Sequence, residues 1–201
     1  MKTVIAKTVK KCLAATIVLA VTTPSLRAVE LLPARPVSGF TVLDMRGKLR
    51  NYRSLRGSVT VVMFFSTRCP MSNAFNHRRK LLYQDYRSRV RFIVIDSNSN
   101  ESMDEVRTYA KDTAFGFPVY KDLDNKVADL FGARNTTESF VLDATGTMRY
   151  RGYIEDAPNA ERTTKQGLRL AIEAVVSGQP VVTPETNGIG CAIRRAHLQN
   201  R

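Results

Sequence analysis

Two short runs of β-branched and aromatic residues, Thr60 to Phe65 and Val90 to Ile95, lie on either side of a helical stretch from Ser72 to about Tyr86. The first run is continuous in its apolar character and the second is interrupted only by Arg91 near its start; both are too short for most helices and bounded by turn-forming residues. Each therefore reads as a strand buried on both faces. Between them, Phe75, Leu81, Leu82 and Tyr86 fall on an approximate common stripe, with basic residues elsewhere. Strand, helix and strand in this order predict a parallel pair joined by a right-handed crossover. The rest of the chain has to be fitted around that unit.

Upstream, residues 29–39 carry Pro33, Pro36 and Gly39 and read as an irregular lead-in. Phe40 to Leu43 alternates weakly before Asp44-Met45-Arg46-Gly47-Lys48, a hairpin-like turn signal. Downstream of the second strand, the polar cluster Asp96-Ser97-Asn98-Ser99-Asn100 offers an N-cap for a helix around Met103 to Lys111. Phe117 to Tyr120 is extended, and Asn125 to Phe131 is a short helix closed near Gly132. Ser139 to Leu142, the turn Asp143-Ala144-Thr145-Gly146 and Met148 to Tyr153 form a hairpin. A helix from about Ala160 to Val176 follows, with Leu168, Leu170, Ile172 and Val175 apolar and Gly178 just past its end. The order predicts an α/β fold, a mixed sheet covered by helices.

The first 28 residues differ in kind. Lys2, Lys7, Lys10 and Lys11 precede an apolar run from Cys12 to Val21, then Pro24 and the small residue Ala28. That is the layout of a secretory signal peptide, with cleavage expected after Ala28. Left uncut, the segment would tether the protein to a membrane. Cleavage removes five positive charges and no acid, taking the formal net charge from +13 to +8. The remaining basic residues are spread thinly and lack aromatic interleaving, so they read as a solvated surface and no nucleic-acid partner is expected. The domain layout is a signal peptide at 1–28, one globular domain at 29–180, and a tail without periodicity at 181–201, expected to be flexible. The protein is expected to be exported, to the periplasm or the medium.

Of the chain's three cysteines, Cys12 leaves with the signal segment, so Cys69 and Cys191 remain. In an oxidising compartment two thiols can pair. Their separation gives no metal-site spacing, and with only two histidines in the chain a zinc site is not expected. Cys69 ends the strand-turn sequence Val61-Val62-Met63-Phe64-Phe65-Ser66-Thr67-Arg68-Cys69-Pro70 and stands just before a helix. Backbone N–H groups and the helix dipole favour the thiolate there, and the thiolate is the nucleophile. Ser72 reads equally as a hydrogen-bond donor to it or as only a cap or first-turn residue of the helix. His77, about two turns along the helix, is too distant to act as its base, and His197 lies in the unpatterned tail. Asp96 reads equally as a strand-end site residue or a cap. No phosphate loop is present, since the glycines are scattered.

Several segments resemble the thioredoxin-like superfamily, and within it the redoxin group that includes the alkyl hydroperoxide reductase and thiol-specific antioxidant family, the peroxiredoxins. They are Gly39-Phe40-Thr41-Val42-Leu43-Asp44 with Gly47-Lys48, Phe64-Phe65-Ser66, and Cys69-Pro70 at a helix head. Phe117-Pro118-Val119 with Asp122, Phe131-Gly132-Ala133, and Phe140-Val141-Leu142-Asp143 before Gly146 complete the set, which covers roughly residues 36–177. The resemblance implies a three-layer fold, a mixed central sheet with helices on both faces. It implies Cys69 as nucleophile, Pro70 at the helix start, and no organic cofactor, because cysteine itself carries the electrons. Its partners would be a protein thiol or disulfide, or a peroxide, with an external thiol as reductant.

The chain departs from the family's patterns in ways that bear on function. Ser72 stands where a dithiol thioredoxin has its second cysteine, and Thr137 stands in the register of the superfamily's cis-proline. Of the three peroxiredoxin positions, Ser66 satisfies one, while Val62 replaces a proline and Thr137 an arginine. Arg68 and Arg134 are the remaining candidates for a cation beside the thiolate. Thiol–disulfide exchange is thus expected ahead of peroxide reduction. Cys191, in Asn187-Gly188-Ile189-Gly190-Cys191-Ala192, is open to three roles: a resolving thiol, half of a permanent staple in a redox-silent binding module, or a bond to a second chain.

Overall fold

The computed structural model describes residues 36–196. The signal-peptide segment, Pro33 and His197 lie outside the described residues. Seven strands form one sheet in the order β2-β1-β5-β4-β3-β6-β7. The hairpin β1 (Thr41–Asp44) and β2 (Leu49–Asn51) closes through Asp44, whose carboxylate accepts the amides of Arg46 and Lys48 at 2.9 and 3.0 Å. A single helical turn, α1 (Tyr52–Leu55), leads to β3 (Thr60–Phe65). β3 pairs in parallel with β4 (Arg91–Asp96), and β4 in parallel with β5 (Val119–Lys121). β6 (Ser139–Leu142) and β7 (Met148–Gly152) extend the other side antiparallel. The expected mixed sheet is the one found.

The period of two along β3 sorts the core. Val61, Met63 and Phe65 face one apolar cluster with Leu82, Val106, Leu168 and Ile172, whereas Val62 and Phe64 face a second with Tyr52, Val127 and Phe131. Helices α3 (Asn76–Tyr86), α4 (Met103–Asp112) and α6 (Gly167–Val176) therefore cover one face, and α1 and α5 (Lys126–Phe131) the other. β3 is buried on both sides, as its unbroken apolar run requires.

Four expectations need correction. The helix after Cys69 is split into α2 (Pro70–Ala74) and α3, because the Phe75 amide turns back to the Ser72 carbonyl at 3.1 Å and tightens the last turn of α2. On α3, Leu81 is exposed, and the buried stripe is Phe75, Arg79, Leu82 and Tyr86. The final helix starts at Gly167 and not at Ala160: Ala160–Arg162 is one 3₁₀ turn, and the Asp156 carboxylate captures the amides of Thr164 and Lys165 at 2.8 and 3.0 Å. Leu170, counted among that helix's apolar positions, is 62% exposed.

Candidate functional site

β3 and β4 run in register with Phe65 opposite Asp96, so the loops that follow them leave the sheet side by side. β5 ends alongside at Lys121, opposite Asp96, and antiparallel β6 starts at the same end with Ser139 opposite Met63. Loops 66–69, 97–101, 122–125 and 134–138 thus meet at the carboxyl ends of the parallel strands. Cys69 sits among them.

Cys69 is the N-cap of α2, with Pro70 at the first helical positions, where a missing N–H costs nothing. The Ser72 N–H donates to its Sγ at 3.4 Å. The Ser72 hydroxyl does not make that contact; it accepts from the Ser66 N–H at 3.1 Å and holds the loop. Ser66 Oγ accepts from the Arg68 and Cys69 amides at 3.2 and 3.0 Å and donates its proton to Glu101. Glu101 is buried, and its second oxygen accepts from the Thr67 amide and hydroxyl at 2.6 and 2.7 Å. One buried carboxylate thereby fixes the whole turn that presents Cys69.

Cys69 is bonded to Cys191 across 122 residues of sequence, with Cα atoms 6.0 Å apart. Cys69 is 3% exposed, whereas Cys191 lies at the surface. Gly190 lets the incoming chain press close: its φ is +151°, and a Cβ there would stand 3.2 to 3.3 Å from atoms of Thr136 and Thr137. The next residue is then held by the Thr136 N–H, which donates to the Cys191 carbonyl at 2.9 Å. Thr137 is buried and gives its hydroxyl to the Ile189 carbonyl, and there is no cis peptide bond among the described residues. A cavity of about 160 Å³ opens beside the disulfide between Ser66, Arg68, Asn98, Glu101 and Thr136.

Arg68, a candidate cation for the sulfur, turns instead to Glu105, with two contacts of 2.7 Å, and its side chain is 57% exposed. This pairing is the largest influence on Glu105, whose carboxyl it helps to hold at about 2. Arg134 is exposed, and so is His77 on the outer side of α3.

The buried cation near this turn is Arg79, which sequence reasoning missed. It is 0% exposed and, among the described residues, has no carboxylate partner. Its guanidinium donates to the carbonyls of Ser72 at 2.7 Å, Phe64 at 3.4 Å and Thr136 at 3.4 Å, to the Ser72 hydroxyl at 3.3 Å and to Asn76 at 3.0 Å. Burial pulls its pKa down to about 9. The signal in the sequence was its position, four residues after Phe75 and three before Leu82, on the apolar stripe itself.

Asp96, Lys121 and Asn98 form the buried floor on the other side of the site. Lys121 pairs with Asp96 and donates to the Asn98 carbonyl at 2.7 Å, while the Asn98 amide group donates to Asp96 at 3.1 Å and to the Phe65 carbonyl at 3.4 Å. Burial pushes the Asp96 carboxyl up to about 7 against the pull of Lys121. Asp96 is neither the cap of α4 nor exposed at the surface; Ser102 caps that helix, accepting the Glu105 N–H at 3.2 Å.

Solved structures share this architecture. A hypothetical protein from Sinorhizobium meliloti 1021 superposes with a TM-score of 0.75 at 27% identity, covering 85% of this chain and 97% of its own. An uncharacterized conserved protein from Geobacillus kaustophilus matches with a TM-score of 0.75 at 26% identity, covering 83% and 92%. A thiol:disulfide interchange protein of the thioredoxin family from Chlorobium tepidum TLS matches at 22% identity with a TM-score of 0.57, covering 72% and 98%, a likeness of fold. No curated protein matches the chain. The family model described as the AhpC/TSA family matches residues 33–151. With a thioredoxin-like fold and a family match over more than half its length, the chain belongs to the AhpC/TSA family.

Proposed function

We propose that the protein is an exported thiol–disulfide oxidoreductase in which Cys69 is the nucleophile and Cys191 its resolving thiol. The observation that carries this reading is the Cys69–Cys191 bond itself, formed at a helix-capping cysteine and bordered by an open cavity. In the reduced protein the Ser72 N–H that now meets the sulfur would donate to the thiolate and stabilise it. Cys69 attacks one sulfur of a substrate disulfide, forming a mixed disulfide and releasing the other substrate sulfur as a thiolate. Cys191, deprotonated, then attacks Cys69 Sγ, closes the internal bond and releases the second substrate thiolate. Two electrons pass from the protein's dithiol to the substrate, and an external thiol returns them. Ser66, Pro70, Ser72 and Thr137 hold the geometry, and Arg68 anchors the loop through Glu105.

Peroxide reduction is the weaker reading. The Ser66 hydroxyl proton is committed to Glu101, and the Thr137 hydroxyl to the Ile189 carbonyl, so neither points a donor at a bound peroxide. Export is supported by the layout of residues 1–28 and by the disulfide, which reducing compartments disfavour.

The test is thiol trapping with mass mapping of the mature protein across a graded glutathione buffer. A Cys69–Cys191 bond that opens well above about −300 mV marks a working disulfide. One that resists reduction below that value marks a permanent staple and overturns the proposal. Cys69→Ser should abolish insulin-disulfide reduction, and unchanged activity would remove Cys69 from the mechanism.

A further inference from the structure

The segment after Cys191 is seated by its backbone. The Thr136 N–H donates to the Cys191 carbonyl and the Ile193 N–H to the Arg134 carbonyl, each at 2.9 Å, and Asn135 bridges Ala192 in antiparallel fashion. Further along, the Ser99 N–H donates to the Arg194 carbonyl at 3.0 Å, and the Arg194 N–H donates to Asn98 Oδ1 at 3.1 Å. Asn125 closes the run, donating to the Arg194 carbonyl at 3.1 Å and accepting the Ala196 N–H at 2.8 Å. Asn98 and Asn125 are 2% and 1% exposed, so two buried amides are spent on the main chain of this segment. None of these bonds depends on which side chain the segment carries. An extended polypeptide of almost any sequence would satisfy them.

Side-chain selection rests on the inward positions of a period-two pattern. Cys191 points to Cys69; Ile193, 6% exposed, joins the apolar cluster of Val127, Phe131 and Ala133; Arg195 pairs with Asp129 at 2.8 Å and donates to the Ala133 carbonyl. Ala192 and Arg194 face outward and are exposed. We propose that this groove is the substrate subsite, built for an extended segment that carries an aliphatic residue two positions after its cysteine and a basic residue four positions after. The chain's own tail is its resting occupant. This inference rests on the proposed function, because it requires Cys69 to react with a foreign sulfur. A substrate cysteine bonded to Cys69 and the tail need the same backbone partners at 134–136, so binding of one excludes the other. Attack of the Cys69 thiolate on the substrate disulfide forms the mixed disulfide and expels a substrate thiolate, as above; the groove orders the segment while that bond exists.

The experiment uses reduced full-length Cys191→Ser protein and short peptides whose single cysteine is activated as the thionitrobenzoate mixed disulfide. The readout is the rate at which thionitrobenzoate is released. Cys-Ala-Ile-Arg-Arg should react at least about tenfold faster than Cys-Ala-Asp-Arg-Arg, from lost aliphatic burial. It should react about two- to fivefold faster than Cys-Ala-Ile-Arg-Glu, from the lost and half-exposed ion pair. Cys-Ala-Ile-Glu-Arg, changed only at the outward position, should match the parent within about twofold. Asp129→Lys should reverse the preference at the fourth position; Asp129 is exposed, so this variant folds independently of the outcome. Equal rates for all peptides would overturn the groove assignment and leave Cys69 a nucleophile. No reaction with any peptide, while free cystine also fails to react, would overturn both.

Discussion

Breaking the Cys69–Cys191 bond should cost the protein a large part of its stability, and the amount follows from the chain. The bond closes a loop of 122 residues. In the chain-entropy description, a loop of that length removes about 16 cal/mol/K from the unfolded ensemble, or about 5 kcal/mol at 25 °C. For a domain of this size each kcal/mol moves the melting temperature by about 2–4 °C, so reduction should lower it by about 10–20 °C. The assay is thermal unfolding followed by far-ultraviolet circular dichroism, with and without a phosphine reductant, on wild-type and Cys191→Ser protein. Cys191→Ser should melt close to the reduced wild type and ignore the reductant. The oxidised chain should also unfold with a shallower dependence on urea, because its unfolded state is held more compact. A wild-type shift below about 4 °C, or a reductant effect that persists in Cys191→Ser, would refute the premise that this bond closes the loop in the native fold.

The buried groups around the site give three more expectations. Arg79→Ala strips hydrogen bonds from the carbonyls of Ser72, Phe64 and Thr136 and opens a hole, and should cost about 3–5 kcal/mol in urea denaturation, whereas an exposed-face change such as His77→Ala should stay within about 0.5 kcal/mol. Asp96 releases its proton near 7 in the folded state and near its ordinary 3.8 unfolded, so between those values the folded protein holds more protons. Stability should therefore fall as pH rises from about 4 to about 7, by up to about 4 kcal/mol; Asp96→Asn should flatten the slope, and an unchanged slope would show that another group sets it. Gly152→Ala would drive a Cβ into Thr186 at a φ of +152°, so it should lower the melting temperature and expose the Thr186 amide, which now donates to Arg151, to hydrogen exchange.

Much of this fold is written in local pattern. β3 is an unbroken apolar run and β4 is one from Phe92 to Ile95, because both faces of these strands are covered, and the two hairpins carry turns whose Asp side chains bind nearby backbone amides. The placement of Cys69 was equally legible, since a cysteine between a buried strand and a proline-headed helix falls at that helix's N-cap. Periodicity fails where a residue's surroundings contradict its chemistry. Arg79 occupies an apolar position because backbone carbonyls at the ends of β3, α2 and loop 134–138 replace the water it lost, and Leu81 and Leu170 are exposed because their turns of helix face solvent.

The tail was unreadable for a different reason. An extended segment anchored by its main chain leaves no periodic trace, since Thr136, Ser99 and Asn125 bind carbonyls and amides that every residue possesses. What locates it is topology. Three parallel strands deliver their carboxyl ends, and one antiparallel strand its start, to a single edge of the sheet, so Ser66, Asn98, Asn125 and Thr136 become neighbours although up to 70 residues separate them in sequence. Each loop supplies one or two polar groups, too few to form a motif by itself, and only their convergence makes a groove. On the proposed reading, such a site carries no recognisable signature except its cysteine, and its preference would lie in the few inward side chains of whatever strand fills it.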